Sequence, residues 1–248
     1  MKRLTPAVLA CWMFGCGSRP VPPDMTACVP AGNIALAGID LNRLRAAPLY
    51  PKLPPAALSL AESYRSAERL LAAWNGRDVL IVIRGTAPGA MTVVPNLAVS
   101  GSDTSIRAAL AQYRSGKSGV PALVDAAKSV ASSQIWAVAQ GGITLPVEGN
   151  ARNLNRLFRS LDYAAMSMDL DSSVDVRATG VGRTEQGTRE FEESLRAILS
   201  LASAAEARNP QIANLLSAVQ IQRSGMKATA SLQAGPEAVG ELLEIFAK

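Results

Sequence analysis

Two segments near the C-terminal end of the chain alternate apolar and polar side chains with a period of two residues. In the first, residues 174–179, the apolar residues are Val174, Val176 and Ala178. In the second, residues 226–233, they are Met226, Ala228, Ala230 and Leu232. Successive side chains of a β-strand point to opposite faces, so this pattern predicts strands with one buried and one polar face. Antiparallel sheets commonly have such faces, and Ser224-Gly225 before the second segment predicts a hairpin turn.

Further apolar segments extend the predicted sheet. Strands are predicted at residues 34–40, 79–84, 91–100, 134–141 and 163–170. Pro95 lies inside one of them, which favours an edge strand or a bulge at that position. Asp171-Ser172-Ser173 separates residues 163–170 from the alternating segment that follows, as expected for a turn.

Amphipathic segments predict the helices that cover the sheet. Helices are expected after Pro54-Pro55, with Asp103 as N-cap, after Pro121, with Asn150 as N-cap, over residues 188–208, and after Gly235-Pro236. The first of these carries Leu60, Tyr64, Ala67, Leu71 and Trp74 at helical spacing. Glu192 and Arg196 form a predicted i,i+4 pair. The predicted fold class is therefore α+β, an antiparallel sheet with helices packed on one face.

The two halves of the folded part share an order of elements. IALAGID leads into LNRLRAAPL, and IWAVAQG leads, after a loop, into NLNRLFRSL. This similarity predicts a duplicated β-α-β-β-α unit with halves at residues 33–132 and 133–248.

Residues 1–16 have the layout of a bacterial export signal. Lys2 and Arg3 precede a short apolar segment that ends at Gly15-Cys16, and that segment is too short to span a bilayer as a helix. Cys16 lies where the cysteine of a bacterial lipobox becomes lipidated, although Met13 and Phe14 differ from the usual residues. A lipid anchor on Cys16 is the favoured interpretation, and an ordinary cleaved signal or an uncleaved anchor are the alternatives.

Residues 17–32 are rich in Pro, Gly and Ser, which predicts an extended tether between the membrane and a domain at residues 33–248. With Cys16 lipidated, Cys28 is a lone thiol, whereas an unmodified Cys16 could pair with Cys28. The 25 basic and 20 acidic residues give a net charge of +5, and loss of Lys2 and Arg3 lowers it to +3. This mild charge predicts no nucleic-acid partner.

The chain contains no histidine. This excludes Ser-His-Asp and Cys-His nucleophiles and imidazole metal sites, and the cysteines lack the spacing of a zinc site. No cofactor, metal or catalytic residue is predicted, and an enzyme would have to use carboxylates, Lys or Tyr.

Two groups of charged residues are candidates for binding sites. Arg152, Arg156 and Arg159 line one face of a predicted helix and could face anions such as lipid head groups or cell-wall polymer. A solvated helix face is the alternative. Asp169, Asp171 and Asp175 surround a hairpin turn and form a weak cation-site candidate, against the alternative of a solvated acidic turn.

Three short motifs resemble nucleotide or catalytic motifs but lack their context. Gly116-Lys117-Ser118 follows a predicted helix, where a P-loop follows a strand. Gly180, Gly182 and Gly187 follow a strand of an antiparallel hairpin, which favours a tight strand-to-helix connection over a nucleotide site. Ser224 and Lys227 match S-x-x-K across a hairpin turn, where Ser-Lys enzymes place the pair on a helix. Trp74 and Trp136 are predicted core residues.

The segments VPAGNIALAGIDLNRLRAAPLYPKLP, GRDVLIVIRG, IRAALAQYRSG and SSQIWAVAQGG resemble uncharacterised bacterial envelope proteins and lipoproteins of unknown function. The resemblance covers most of residues 29–145. It implies a fold and an envelope location, and it implies no activity.

These features predict an exported, membrane-tethered and non-catalytic envelope domain that binds an unidentified envelope protein or polymer. Two alternatives remain open at this point. One is a carboxylate-dependent hydrolase that uses Asp169, Asp171 or Asp175. The other is a carrier of an apolar ligand between the sheet and its helices, which would show a large apolar cavity.

Overall fold

A single ten-stranded antiparallel sheet organises the protein in the computed structural model, which describes residues 21–143, 158–205 and 210–237. The strand order is β4-β5-β3-β2-β1-β6-β7-β8-β10-β9. The strands are Ala35–Asp40 (β1), Ala67–Trp74 (β2), Val79–Gly85 (β3), Met91–Val94 (β4), Leu97–Ser100 (β5), Ile135–Gln140 (β6), Leu161–Leu170 (β7), Val174–Gly182 (β8), Gln220–Ser224 (β9) and Lys227–Ala234 (β10). The predicted α+β class is confirmed.

The two central strands, β1 and β6, join two five-stranded halves. They pair in register from Ala35 with Ala139 to Ile39 with Ile135. From this pair outward, β1, β2, β3, β5 and β4 have the same order as β6, β7, β8, β10 and β9. The outer hairpin precedes two helices in the first half and follows two helices in the second. Duplication of the unit remains a prediction with which the strand order agrees.

The helices of the described residues lie against both faces of the sheet. They are Pro23–Ala27 (α1), Leu41–Ala46 (α2), Pro55–Ser63 (α3), Asp103–Arg114 (α4), Pro121–Ala127 (α5), Glu185–Ala205 (α6) and Pro210–Ser217 (α7). The first face carries Leu36, Leu71 and Val82, which pack with α1, α4 and α5. The second face carries Ile39, Leu70 and Ile83, which pack with α2 and α3.

Helices therefore lie on both faces of the sheet, where the sequence predicted helices on one face. In the C-terminal half, α6 packs on the second face through Phe191, Leu161 and Ala228. On the first face of that half, Asp175 and Arg177 of β8 are exposed, and Lys227 and Gln233 of β10 are exposed too. Each half has its own apolar pattern, so each half recruits helices to the face that needs burial.

The segment Ala67–Trp74 forms strand β2, where the sequence predicted the end of a helix. Leu71 and Ala73 are buried on the first face, Ala67 is buried on the second, and α3 ends at Ser63. Apolar residues fill nearly every position of this segment, so helical and strand spacing both find an apolar face. The segment forms a strand because it pairs with β1 on one side and with β3 on the other.

Two smaller boundaries also differ from prediction. The segment predicted as one strand at residues 91–100 is split at Pro95-Asn96 into β4 and β5, and Asn96 has a positive φ of 64°. This turn makes β4 an edge strand, in agreement with the position of Pro95. The N-cap of α4 is Ser102, whose side chain accepts a hydrogen bond from the backbone N–H of Ser105, and Asp103 is the first helical residue.

Residues 21–32 belong to the folded domain and are not an extended tether. Met25, Cys28 and Val29 are buried in the core of the first face. The carboxylate of Asp24 forms an ion pair with Arg84 of β3. Burial of these apolar side chains outweighs the Pro-rich character that favours an extended chain, because prolines at the first turn are compatible with a short helix.

Several expectations concern residues outside those that the structure describes. They are the export signal with Cys16, the helix capped by Asn150 with Arg152 and Arg156, and the helix after Gly235-Pro236 beyond residue 237.

Helix α6 is fixed to the edge of the sheet by an ion-pair network. Glu192 accepts hydrogen bonds from Arg196 on the same helix and from Arg223 of β9, both at 2.9 Å. The hydrogen bond from Arg196 lowers the pKa of Glu192, and Arg223 lowers it further. The predicted Glu192–Arg196 pair is confirmed. Arg196 also donates to the backbone oxygen of Ile221 at 3.1 Å, so the network connects α6 with β9.

A buried glutamine connects the two halves of the protein where β6 begins and β1 ends. Gln134 is 1% exposed. Its side-chain Nε2 donates to Asp171 at 3.0 Å, and its Oε1 accepts from the backbone N–H of Leu170 at 2.9 Å. Its backbone N–H donates to Asp169 at 2.9 Å, and its backbone oxygen accepts from the N–H of Asp40 at 2.8 Å. Gln134 thereby joins β1, β6 and the end of β7.

We expect Gln134→Ala to lower the free energy of unfolding by about 1–3 kcal/mol, because it leaves the buried N–H of Leu170 without its acceptor. Urea denaturation measures the change. Gln222→Ala on the exposed edge strand β9 is the matched control and should change stability by less than about 0.5 kcal/mol. Equal effects of the two substitutions would contradict the role of Gln134.

The thiol of Cys28 reports on the docking of α1. It is fully buried and donates to the backbone oxygen of Asp24. Burial raises its pKa from 9.0 to about 12, and the charge of Asp24 contributes in the same direction. The folded state therefore favours the neutral thiol, and this contribution to stability is present below pH 9 and is lost as the pH rises toward 12.

In a Cys11→Ser, Cys16→Ser background, Cys28 should react slowly with a disulfide reagent at pH 9 under native conditions and rapidly in denaturant, because the thiolate is the reactive form. Absorbance of the released chromophore measures the rate. Rapid native reaction would show that α1 does not stay docked on the sheet.

Candidate functional site

A long apolar depression lies on the second face of the sheet, beside helix α6. Its volume is about 480 Å³. Seven alanines on five neighbouring strands form its floor: Ala35, Ala37, Ala72, Ala137, Ala139, Ala164 and Ala178. We call this depression the alanine trough. Five adjacent strands at about 4.8 Å spacing give it a length near 19 Å across the sheet.

The strand register explains why the trough has a floor of small side chains. Ala72, Ala37 and Ala137 are directly paired across β2, β1 and β6. Met166 and Ala178 continue the same row in β7 and β8. On the first face, the intervening positions of these strands carry larger residues such as Leu36, Leu71 and Val138. Alternation therefore builds a dense core on one face and leaves space on the other.

Aromatic and aliphatic side chains form the walls of the trough. Trp74 and Val79 line one end, and Phe158, Phe191 and Leu195 line the other. Trp74 is half-buried, so its predicted place in the core is only partly correct, whereas Trp136 is 5% exposed and belongs to the core of the first face. Thr179 is the one residue of the lining with a polar side chain.

Gly180 and Gly182 at the end of β8 allow helix α6 to form one wall. A Cβ atom at Gly180 would lie 2.4 Å from the ring of Phe191, and one at Gly182 would lie 2.2 Å from Oγ1 of Thr188. The backbone N–H of Gly187 donates to Thr184 at 3.0 Å. These contacts agree with a tight connection between β8 and α6, as predicted from the sequence in preference to a nucleotide site.

The other two short motifs also lack the structural context of a catalytic or nucleotide motif. Ser224 and Lys227 flank the turn between β9 and β10. Gly116-Lys117-Ser118 lies in the loop between α4 and α5.

The three aspartates of the cation-site hypothesis are used in hydrogen bonds within the domain. Asp169 Oδ1 accepts from the Gln134 backbone and from Arg43 at 3.4 Å. Asp171 accepts from the Gln134 side chain, and Asp175 accepts from Ser173 at 2.7 Å. Within residues 21–143, 158–205 and 210–237, no group of three or more Cys, Asp or Glu side chains is placed to hold a metal ion.

Asp169 and Asp175 also line a polar depression of about 580 Å³ near the ends of β7, β8 and β10. They are cross-strand partners in the register of β7 and β8. The remaining lining includes the side chains of Arg177, Gln220 and Gln233. With Asp169 bound to Arg43 and Gln134, this arrangement gives no support to a carboxylate hydrolase.

Of the predicted anion-facing arginines, Arg159 alone lies within the described residues. It is exposed and directly follows Phe158, which lines the trough. Its position next to the trough is a feature that the sequence did not predict.

Comparison with known proteins finds similarity at the level of structure. No protein-family model matches the sequence, and no curated protein is similar to it in sequence. Crystal form I of TP0453 superposes with a TM-score of 0.51 and 8% identity, over 93% of this chain and 100% of TP0453. Crystal form III gives a TM-score of 0.50 and 9% identity, over 90% of this chain and 98% of TP0453.

Identities this low show a shared fold and nothing more. The class that the structure defines is thus an α+β protein with one open, ten-stranded antiparallel sheet, and TP0453 has a fold of this kind. Throughout the three described ranges, no helix has both the length and the hydropathy that crossing a membrane requires.

The alanine trough was not predicted, although the sequence contains a pattern that indicates it. Strands β1 and β6 place alanine at every position of one face near the trough, Ala35 and Ala37 in the first and Ala137 and Ala139 in the second. Their neighbours on the other face are Leu36, Trp136 and Val138. This asymmetry of side-chain size between the two faces of a strand could have indicated an unfilled surface.

Proposed function

We propose that this chain is an exported, lipid-anchored envelope protein whose domain binds a small apolar ligand in the alanine trough. The observation that carries the proposal is the trough itself. Its volume of about 480 Å³ lies within the range of small-molecule sites, which is roughly 300–1,000 Å³. Its lining is apolar except for Thr179, so it favours a ligand of the same character.

The trough has the form of a site rather than of a packing defect. Its floor consists of backbone-paired strands in the middle of the sheet, and these strands are held from the first face by the core around Leu36, Leu71 and Val138. The floor is therefore rigid without a ligand. Preformed apolar sites lose little conformational entropy on binding, which favours affinity.

An envelope location has support that is independent of the trough. Lys2 and Arg3 before an apolar segment ending at Cys16 have the layout of an export signal. A lipid-anchored domain stays close to a bilayer, which is a source of apolar ligands.

Ala137→Phe should weaken binding of a neutral apolar dye by about tenfold or more, because the ring occupies the centre of the trough floor. Titration of dye fluorescence, which rises in apolar surroundings, measures the dissociation constant. Gln222→Phe adds the same ring to the polar face of exposed strand β9 and should leave dye binding unchanged. Unaltered binding by Ala137→Phe would place the dye elsewhere and remove the basis of the proposal.

The anchor has a separate test. Cys16→Ser should move the protein from the membrane fraction to the soluble fraction after expression in a bacterial host. Mass spectrometry of the N-terminal peptide of the unsubstituted protein should find Cys16 as the first residue, with acyl chains attached. An unmodified terminus at any other residue would end the lipoprotein assignment and would leave the trough unaffected.

A further inference from the structure

We propose that the ligand of the alanine trough is an acyl chain with an anionic head group, and that Arg183 and Arg159 bind this head group at the Phe158 end. This inference rests on the proposed function, because it assumes that an apolar chain enters the trough. It adds the chemistry of the ligand and the direction in which it lies.

The first observation is the position of Arg183 beside the segment that carries Phe158, a residue that lines one end of the trough. The backbone N–H of Gly142, after β6, donates to the oxygen of Phe158 at 2.6 Å, and Phe158 lines the trough. Gly142 has a φ of +74°, and a Cβ atom there would lie 3.0 Å from Nη2 of Arg183. The guanidinium therefore lies over this glycine, beside the segment that carries Phe158. The backbone N–H of Arg183 also donates to Ser160 at 3.1 Å.

The second observation is that these arginines lack partners. Among the described residues, neither Arg183 nor Arg159 forms a salt bridge or a side-chain hydrogen bond, and both are exposed. Other exposed arginines, such as Arg107 and Arg189, also have no ion pair, so the feature that distinguishes Arg159 and Arg183 is their position at the segment of Phe158. Asp162 and Glu185 lie near in sequence, and neither is within salt-bridge distance of the two arginines.

Charge complementarity selects the ligand. Guanidinium groups bind carboxylates and phosphates through two parallel hydrogen bonds, and such charge-assisted bonds are stronger than neutral ones. Two unpaired guanidinium groups at the end of an apolar surface suit a molecule with one long apolar part and one acidic end. Fatty acids and acidic phospholipids share this chemistry.

Quenching of tryptophan fluorescence tests the inference, because Trp74 lines the trough. The purified, full mature chain is titrated with a dibrominated long-chain fatty acid and, separately, with its methyl ester. We expect the acid to bind about tenfold more tightly than the ester at low salt, since only the acid offers a charged partner. Trp74→Phe should remove the quenching and so locate the chain in the trough.

Arg183→Gln should weaken binding of the acid toward that of the ester and leave the ester unaffected, and Arg159→Gln, Arg183→Gln together should remove the preference. Arg107→Gln, the same change at an exposed position of α4, is the control. Titration with a dibrominated phosphatidic acid distinguishes a fatty acid from an acidic phospholipid as the ligand. The class that binds in nature should lose more affinity when Arg183→Gln is introduced.

The outcomes separate this inference from the function on which it rests. Equal quenching by acid and ester, unaffected by Arg183→Gln, would overturn the anionic head group and leave apolar binding intact. Quenching by neither probe would overturn the proposed function as well, as expected if another part of the chain fills the trough.

Discussion

The antiparallel pairing of β1 with β6 is the interaction on which the rest of the structure depends. Among the described strands, it is the one pairing between the two halves, and it turns two five-stranded units into one continuous sheet. Close packing across it is permitted by Gly38, because a Cβ at this position would lie 2.2 Å from the indole of Trp136. The buried Gln134 fixes the end of the same pair through hydrogen bonds to Asp40, Leu170 and Asp171. Both features make the register at the centre specific.

This central register also creates the alanine trough. Once Gly38 and Trp136 are directly opposite, Ala37 must face Ala137 on the other side of the sheet, and Ala35 must face Ala139. A shift of β1 by one residue would place Leu36 in the trough instead of Ala35 and Ala37, and would fill part of it. The core of the first face and the open surface of the second are therefore two consequences of one pairing.

The sequence predicted the parts of the fold in which local pattern and tertiary context agree. Strict alternation in residues 174–179 and 226–233 identified β8 and β10, and Ala228 and Leu232 are buried as expected, while Met226 lies in the turn and is 43% exposed. The helix predicted over Ala67–Trp74 was wrong, because an almost wholly apolar segment fits both the helical and the strand periodicity. Pairing with its neighbours β1 and β3 makes it a strand. The tether predicted at residues 21–32 was wrong, because composition alone does not show that Met25, Cys28 and Val29 have a surface to pack against.

The candidate site was less predictable than the fold, for a physical reason. The charge pattern predicted a cation site at Asp169, Asp171 and Asp175. Their carboxylate oxygens accept hydrogen bonds from Gln134, Arg43 and Ser173. An apolar site leaves no such motif, because its information lies in side chains that are small where larger ones would fit. Isoleucines and leucines of the second face, such as Ile39, Leu70 and Ile83, lie at the end covered by α2 and α3, whereas alanines predominate on the central strands at the trough. The change from isoleucine and leucine to alanine along one face marks where the core ends and the open surface begins.

Stability and binding are separated by this arrangement. The residues that bury most surface lie on the first face and under α2 and α3, and the trough floor contributes side chains whose removal from water is worth little. An exposed apolar surface of this kind is rare in monomeric proteins without a partner or ligand. Because the floor is held by backbone pairing and by the opposite core, the protein can keep the surface open at small cost, and an apolar molecule that covers it gains the full benefit of burial. This is the physical basis for the proposed binding of an apolar ligand.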